Sequence, residues 1–129
     1  GLMSPPGGKL DIAAAESPVQ CAVREAFEEC SMKTELSDWK LRGIVTEKDY
    51  PAVGNIMIFL MEYINFVNEL PEECNEGSFN FIHPDDFKNY SIPVTDKLFF
   101  WNRILSLDKE PFIMTLDCKN YPNIKPINL

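Results

Sequence analysis

The chain has 129 residues, 45% of them hydrophobic, and its twenty acids against twelve lysines and arginines leave a net charge of −8. That length and apolar content suit a single globular domain rather than a disordered or fibrous chain. The charge works against polymeric DNA or RNA as a partner, because no basic stripe overrides the field. Asn55–Tyr63 is an apolar run of about nine residues, far short of the roughly twenty that cross a bilayer.

In chain order, Gly7-Gly8-Lys9 reads as a turn leading to a helix over Pro18–Cys30. Ser17 is an N-cap, Pro18 takes the first helical position, and Gln20 completes a capping box. At roughly 100° per residue, Glu25, Glu28 and Glu29 share one face, while Val19, Ala22, Val23, Ala26, Phe27 and Cys30 line the opposite face, which can pack on a sheet. Three like charges so close destabilise a helix. They also crowd its C-terminal half, where the dipole disfavours acids. An isolated string of this kind is often just a solvated face. A cation with oxygen ligands would offset the repulsion, and Mg²⁺ completed by water and substrate phosphates suits the set.

Further along, Trp39–Val45 and Asn55–Tyr63 read as strands, the second buried, and Phe79–Ile82 as a short strand. Pro84–Phe87 opens a helical turn. Thr95 caps a helix from Asp96 to about Leu105 that buries Leu98, Phe99, Ile104 and Leu105. Phe112–Leu116 is a late strand, and the stretch from Tyr121, with Pro122 and Pro126, is irregular. The whole reads as one domain over residues 1–129, with no repeat or linker. Cys21, Cys30, Cys74 and Cys118 show no zinc-type spacing, and Cys21 and Cys30 are too far apart on one helix to bridge, so reduced core thiols are expected. With no signal peptide or anchoring segment in view, the default location is the cytoplasm.

The residues around the first helix resemble the signature of the Nudix hydrolases: Gly, five residues, Glu, seven residues, then Arg-Glu-U-x-Glu-Glu-x-Gly-U, with U a bulky apolar residue. Glu16, seven residues, and Arg24-Glu25-Ala26-Phe27-Glu28-Glu29-Cys30-Ser31-Met32 follow that order. The chain departs from it in three places. Seven residues separate Gly8 from Glu16, Ser31 stands for the last glycine, and small Ala26 fills a U position. A serine at a left-handed helix cap costs about 1 kcal/mol without touching the chemistry. The segment Glu76–Phe87 with Ile92–Asp96 also looks like the later part of bacterial Nudix proteins, so the resemblance covers most of the chain, closely at the box and loosely beyond it.

The resemblance implies an α/β fold, a Nudix-type α/β/α sandwich with a mixed sheet. It also implies strands ahead of the box, where only Gly1 to Pro6 stand here, so the chain reads as N-terminally incomplete in preference to one completed by a partner. It implies hydrolysis of a nucleoside diphosphate linked to another group, with Mg²⁺, or Mn²⁺ in its place. By position, Glu25, Glu28, Glu29 and the Gly7 carbonyl would hold metal, and Glu25 would also be a candidate base. Arg24 would fix the carboxylates, Glu16 would support loop and helix, and Lys9 would meet substrate phosphates. Glu76 falls where several members place a further acid near the metals; equally, Glu72, Glu73 and Glu76 form one acidic loop. Tyr50 would stack on a base or serve as a turn aromatic. His83 reads as a loop or cap residue, and Trp101 as packing.

The partner expected is a small nucleotide, such as a nucleoside triphosphate, an oxidised nucleotide or an ADP-ribose-like sugar nucleotide. Polymeric nucleic acid and membrane are not expected, and a homodimer is compatible with the sequence. The alternatives are a Nudix-fold module that binds a nucleotide without hydrolysing it, which the complete set of acids disfavours, and an inactive fragment.

Overall fold

The computed structural model describes residues 2–72 and 77–127. The chain divides into two compact units, Gly1–Lys40 with Tyr63–Pro93 and Leu41–Glu62 with Val94–Leu129.

The first unit carries helix α1, Pro18–Cys30, as the sequence predicts. Ser17 is extended (φ −79°, ψ 161°); its Oγ accepts the Gln20 amide at 3.2 Å and the Gln20 side chain accepts the Ser17 amide at 2.8 Å, which closes the capping box. The helix ends at Ser31 in the left-handed region (φ 54°, ψ 25°), with the Ser31 amide donating to the Phe27 carbonyl at 3.0 Å. Its buried residues are Cys21, Ala26 and Cys30, while Phe27 is 53% exposed. The expected apolar face is therefore rotated. The glycine loop lies over the Cys21 side of the helix, so Glu25 enters the buried arc and Phe27 turns outward. Elsewhere in this unit Trp39 and Tyr63 pack at 5.3 Å between ring centroids. His83 caps the 3₁₀ turn Pro84–Asn89, its Nδ1 accepting the Asp85 amide at 3.1 Å, which agrees with its reading as a cap residue.

The second unit is built on a mixed four-stranded sheet in the order β2-β1-β3-β4, from β1 (Trp39–Tyr50), β2 (Gly54–Tyr63), β3 (Phe112–Asn120) and β4 (Asn123–Ile127). A tight turn joins β1 to β2, with the Val53 amide on the Tyr50 carbonyl and positive φ at Ala52 and Gly54. β1 runs parallel to β3, Gly43 opposite Phe112 through Lys48 opposite Asp117. A parallel pair needs a crossover, which here includes a π-turn, Asp96–Phe100, and a short helix α2, Trp101–Ile104. Val45, Phe100, Phe112, Leu116 and Cys118 form the core. Buried Arg42 reaches from β1 to the end of α2, its Nη2 donating to the Ile104 carbonyl at 2.8 Å, where a cation complements the helix C-terminus. No helix among the described residues is long and apolar enough to cross a membrane.

Besides the face of α1, four sequence expectations are corrected. The strand expected to be buried over Asn55–Tyr63 is the edge strand β2, along which no residue is fully buried and Met57 is 61% exposed. Residues 78–83 carry no regular element, and Phe81 is 60% exposed, so the strand expected over Phe79–Ile82 is absent. Gly77, at φ 132°, turns the chain just before it. The stretch after Tyr121 is not irregular: β4 pairs antiparallel with β3 and places Pro126 opposite Leu116. As an edge strand it bonds on one side only, which tolerates a residue lacking an amide proton. The helix expected from Asp96 is wound as a π-turn in its first part, and Thr95 does not cap it: Thr95 is itself helical (φ −60°, ψ −45°), its side chain bonds no cap amide and it is buried. The wider i→i+5 winding, with the Trp101 amide on the Asp96 carbonyl, changes which side chains face inward. Phe100 is buried, Phe99 and Ile104 pack against the core, and Leu98 and Leu105 stay about half exposed, at 52% and 47%.

Two substitutions test this packing. A Cβ at Gly43 would stand 2.5–2.8 Å from the Phe112 ring, so Gly43→Ala is expected to lower stability by about 1–3 kcal/mol in urea unfolding. Ser31→Gly removes left-handed strain and is expected to raise it by about 0.5–1 kcal/mol in the same assay.

Candidate active site

The candidate site lies in the first unit, where the Gly7–Glu16 loop closes on α1. Arg24 is its centre. Nε and Nη2 form a two-pronged contact with Glu16, at 2.7 and 2.8 Å. Nη1 donates to Glu25 at 2.8 Å and to Glu28 at 3.0 Å. Nη2 also donates to the Lys9 carbonyl at 2.9 Å. One planar cation thus ties three carboxylates and the loop backbone together, with the geometry that makes paired arginine–carboxylate contacts strong.

The loop is built to meet it. The Asp11 amide donates to Glu16 Oε1 and the Glu16 amide to the Asp11 carbonyl, each at 3.0 Å. Asp11 Oδ1 accepts the Ala14 amide at 3.1 Å, and Ala15 takes φ 52°, so the two extra residues between Gly8 and Glu16 are absorbed in a closed turn. The Gly7 amide donates to Glu29 Oε2 at 3.0 Å. Gly8 lies so close to α1 that a Cβ there would overlap the Glu25 carboxylate, so a larger residue at this position would have to displace that carboxylate. Cys21 sits beneath, its thiol 3.7 Å from the Lys9 carbonyl, and burial first and Glu16 next raise its pKa. The roles of Gly8, Asp11 and Cys21 in closing this loop were not evident from the sequence. Only the run of small and turn-forming residues from Gly7 to Ala15 hinted at a tight loop.

The structure therefore brings Gly7, Glu16, Arg24, Glu25, Glu28 and Glu29 together. Glu25 is largely buried (16% exposed) and Glu28 stands at the rim (55%). A cavity of about 260 Å³ opens beside Gly7 and Glu29, bounded also by Met3, Pro6, Gly77 and Phe79. The Lys9 side chain is exposed. Glu76 lies outside the described residues. Tyr50 belongs to the second unit and packs its ring on Tyr121, 5.3 Å between centroids.

Carboxylates and a backbone carbonyl are hard oxygen donors, and the Gly8 cradle brings backbone against one of those carboxylates, so the residues fit Mg²⁺ or Mn²⁺ in kind. Among the described residues no three acids are gathered into a ready-made coordination set. Arg24 neutralises Glu25 and Glu28 in the arrangement described.

No family model matches the sequence, and no curated protein matches it. The fold has a solved counterpart. The crystal structure of a mutator MutT protein from Bacillus halodurans matches with a TM-score of 0.75 at 21% identity, over 99% of this chain and 80% of that one. This likeness shows the fold, an α/β fold with a mixed sheet of the Nudix type.

Glu16 gives the site a measurable acid limit. The Arg24 guanidinium first, then the Asp11 amide, hold its carboxyl at about 2, against an ordinary value of 4.5. Its contribution is present above pH 4.5 and is lost as pH falls from 4.5 towards about 2. The stability gap between the wild type and Glu16→Gln is accordingly expected to close over that window in pH-dependent thermal unfolding. A gap constant with pH would contradict the pairing.

Proposed function

We propose that this chain is a Mg²⁺-dependent pyrophosphohydrolase of the Nudix kind. Its substrate would be a nucleoside diphosphate linked to another group: a nucleoside triphosphate, an oxidised nucleotide or an ADP-ribose-like compound. The observation that carries the reading is the Arg24 network, which holds Glu16, Glu25 and Glu28 around one cation with the Gly7–Gly8 backbone against Glu25 and Glu29. A solvated surface face would not need this closed loop, nor a glycine at the one position where a side chain would strike a carboxylate.

In this reading Glu25, Glu28, Glu29 and the Gly7 carbonyl hold the metal. When bound, a divalent cation would offset the diphosphate charge and lower the pKa of water for attack. Arg24 holds Glu25 and Glu28 in orientation, Glu16 locks Arg24 to the loop, and Glu25, the more buried carboxylate, is the candidate to take the proton from water. Lys9 supplies an exposed ammonium to substrate phosphates. Glu76 as a further acid and Tyr50 as a stacking partner for the base belong to the same proposal. So does a cytoplasmic setting with reduced thiols, in keeping with Cys21, Cys30 and Cys118 forming no disulfide among the described residues. Positioning and electrostatics are most of what phosphoryl chemistry asks of a protein.

One observation favours a second reading, a nucleotide-binding module without catalysis: no three acids stand ready as a metal shell among the described residues. Product release from a panel of nucleoside triphosphates, dinucleotides and nucleotide sugars separates the two. The expected result is turnover of one class with Mg²⁺ and none with EDTA. Glu28→Gln is expected to lower kcat/KM by more than about 100-fold, and Arg24→Lys by about 10–100-fold, with folding intact. Full turnover in Glu28→Gln would remove its metal role. Silence across the panel from a folded protein would favour the binding module.

A further inference from the structure

The second unit buries a carboxyl group that the proposed hydrolysis does not use. Glu47 on β1 is 3% exposed, on the same face as Val45 and opposite Leu116 of β3. Its carboxylate accepts a hydrogen bond from the Cys118 thiol at 3.6 Å. No lysine, arginine or histidine forms an ion pair with it among the described residues. A buried carboxylate with so weak a partner is strongly disfavoured as an anion.

The groups around it reinforce that. Asp96, at the start of the π-turn, adds like charge. Tyr50, at the end of β1, is a phenol whose ionisation burial opposes, and the Tyr121 ring packs behind it. Cys118 is held protonated, its pKa pushed up to about 11 by burial and then by Glu47. The row Lys48–Asp117–Lys125 is one residue out of step with Glu47 and Leu116, so strand alternation sends it to the other face of the sheet. Burial raises the carboxyl pKa of Glu47 above its ordinary 4.5, Asp96 adds to the rise, and the Cys118 bond opposes it.

We propose that Glu47 is a proton-operated latch. With its proton on, β1, β3 and the π-turn close around it through Val45, Leu116, Cys118 and Phe100; with the proton lost, that packing opens and uncovers Cys118. The proton is bound more tightly in the closed form, so the latch is firm below pH 4.5 and weakens as pH rises through the raised value. The inference rests on the sheet unit alone, so its failure leaves the hydrolase reading untouched.

The test is alkylation of Cys118 by iodoacetamide, followed by peptide mass spectrometry from about pH 5 to about pH 8 and divided by the rate for the unfolded chain, which removes the thiol's own titration. In the wild type the corrected rate is expected to rise by up to about tenfold per pH unit and then level off. Glu47→Gln should abolish the rise. Asp96→Asn, which leaves Glu47 in place, should bring the plateau to lower pH. Identical profiles for the wild type and Glu47→Gln would overturn the proposal. Should Glu47→Gln fail to fold, a profile unchanged in Asp96→Asn would overturn it.

Discussion

The site depends on one guanidinium. Without Arg24, Glu16, Glu25 and Glu28 would face one another as bare charges on a helix and its leading loop, which destabilises both. With it, the same repulsion becomes a clamp: Glu16 and the Lys9 carbonyl draw the loop inward while Glu25 and Glu28 are held along the helix. Lysine could not do this, because a point charge cannot serve several carboxylates in one plane. The charge-assisted bonds leave their mark on Glu16, whose carboxyl lies far below the ordinary carboxylate range. Around the clamp the backbone has adapted, with glycine at the point of closest approach to Glu25 and a left-handed Ala15 closing the loop.

The two units handle buried charge in different ways. In the first, Glu16, Glu25 and Glu28 are gathered around one guanidinium, which holds the Glu16 carboxyl far below its ordinary range. In the second, Arg42 is buried against the carbonyl of Ile104 with Glu62 beside it at 3.1 Å, while Glu47 is hydrogen-bonded by the Cys118 thiol and has no cationic partner among the described residues. Burial lifts the Glu47 carboxyl above its ordinary range while the Arg24 pairing lowers that of Glu16, so the two respond to protons in opposite pH directions.

The helix and its box were the most legible parts of the sequence, because their signals are local. Ser17, Pro18 and Gln20 fix the start of α1 through bonds within one turn, and the observed helix keeps the expected bounds. The strands β1, β2 and β3 were visible as apolar runs, though longer than expected. What escaped depended on partners distant in the chain. β4 exists because β3 offers an edge, which no reading of Pro122 and Pro126 reveals. The π-winding of Asp96–Phe100 exchanges Leu98 for Phe100 in the core, a change that helical periodicity cannot foresee. Phe27 was assigned to the packed face by periodicity alone, whereas the loop over Cys21 sets which arc of α1 is covered. At the site, the residue types were readable and the arrangement was not. Arg24 was expected to hold carboxylates, but its sharing among Glu16, Glu25, Glu28 and Lys9 follows only from the closed loop.

The central claim is that the acids of α1 bind a divalent cation. Titration of the protein with Mn²⁺, followed by electron paramagnetic resonance of the free ion, tests it without reference to any substrate. The account predicts saturable binding that Glu29→Gln weakens by at least about tenfold while the helix stays folded. Absence of saturable binding in the wild type, or equal binding in Glu29→Gln, would contradict it.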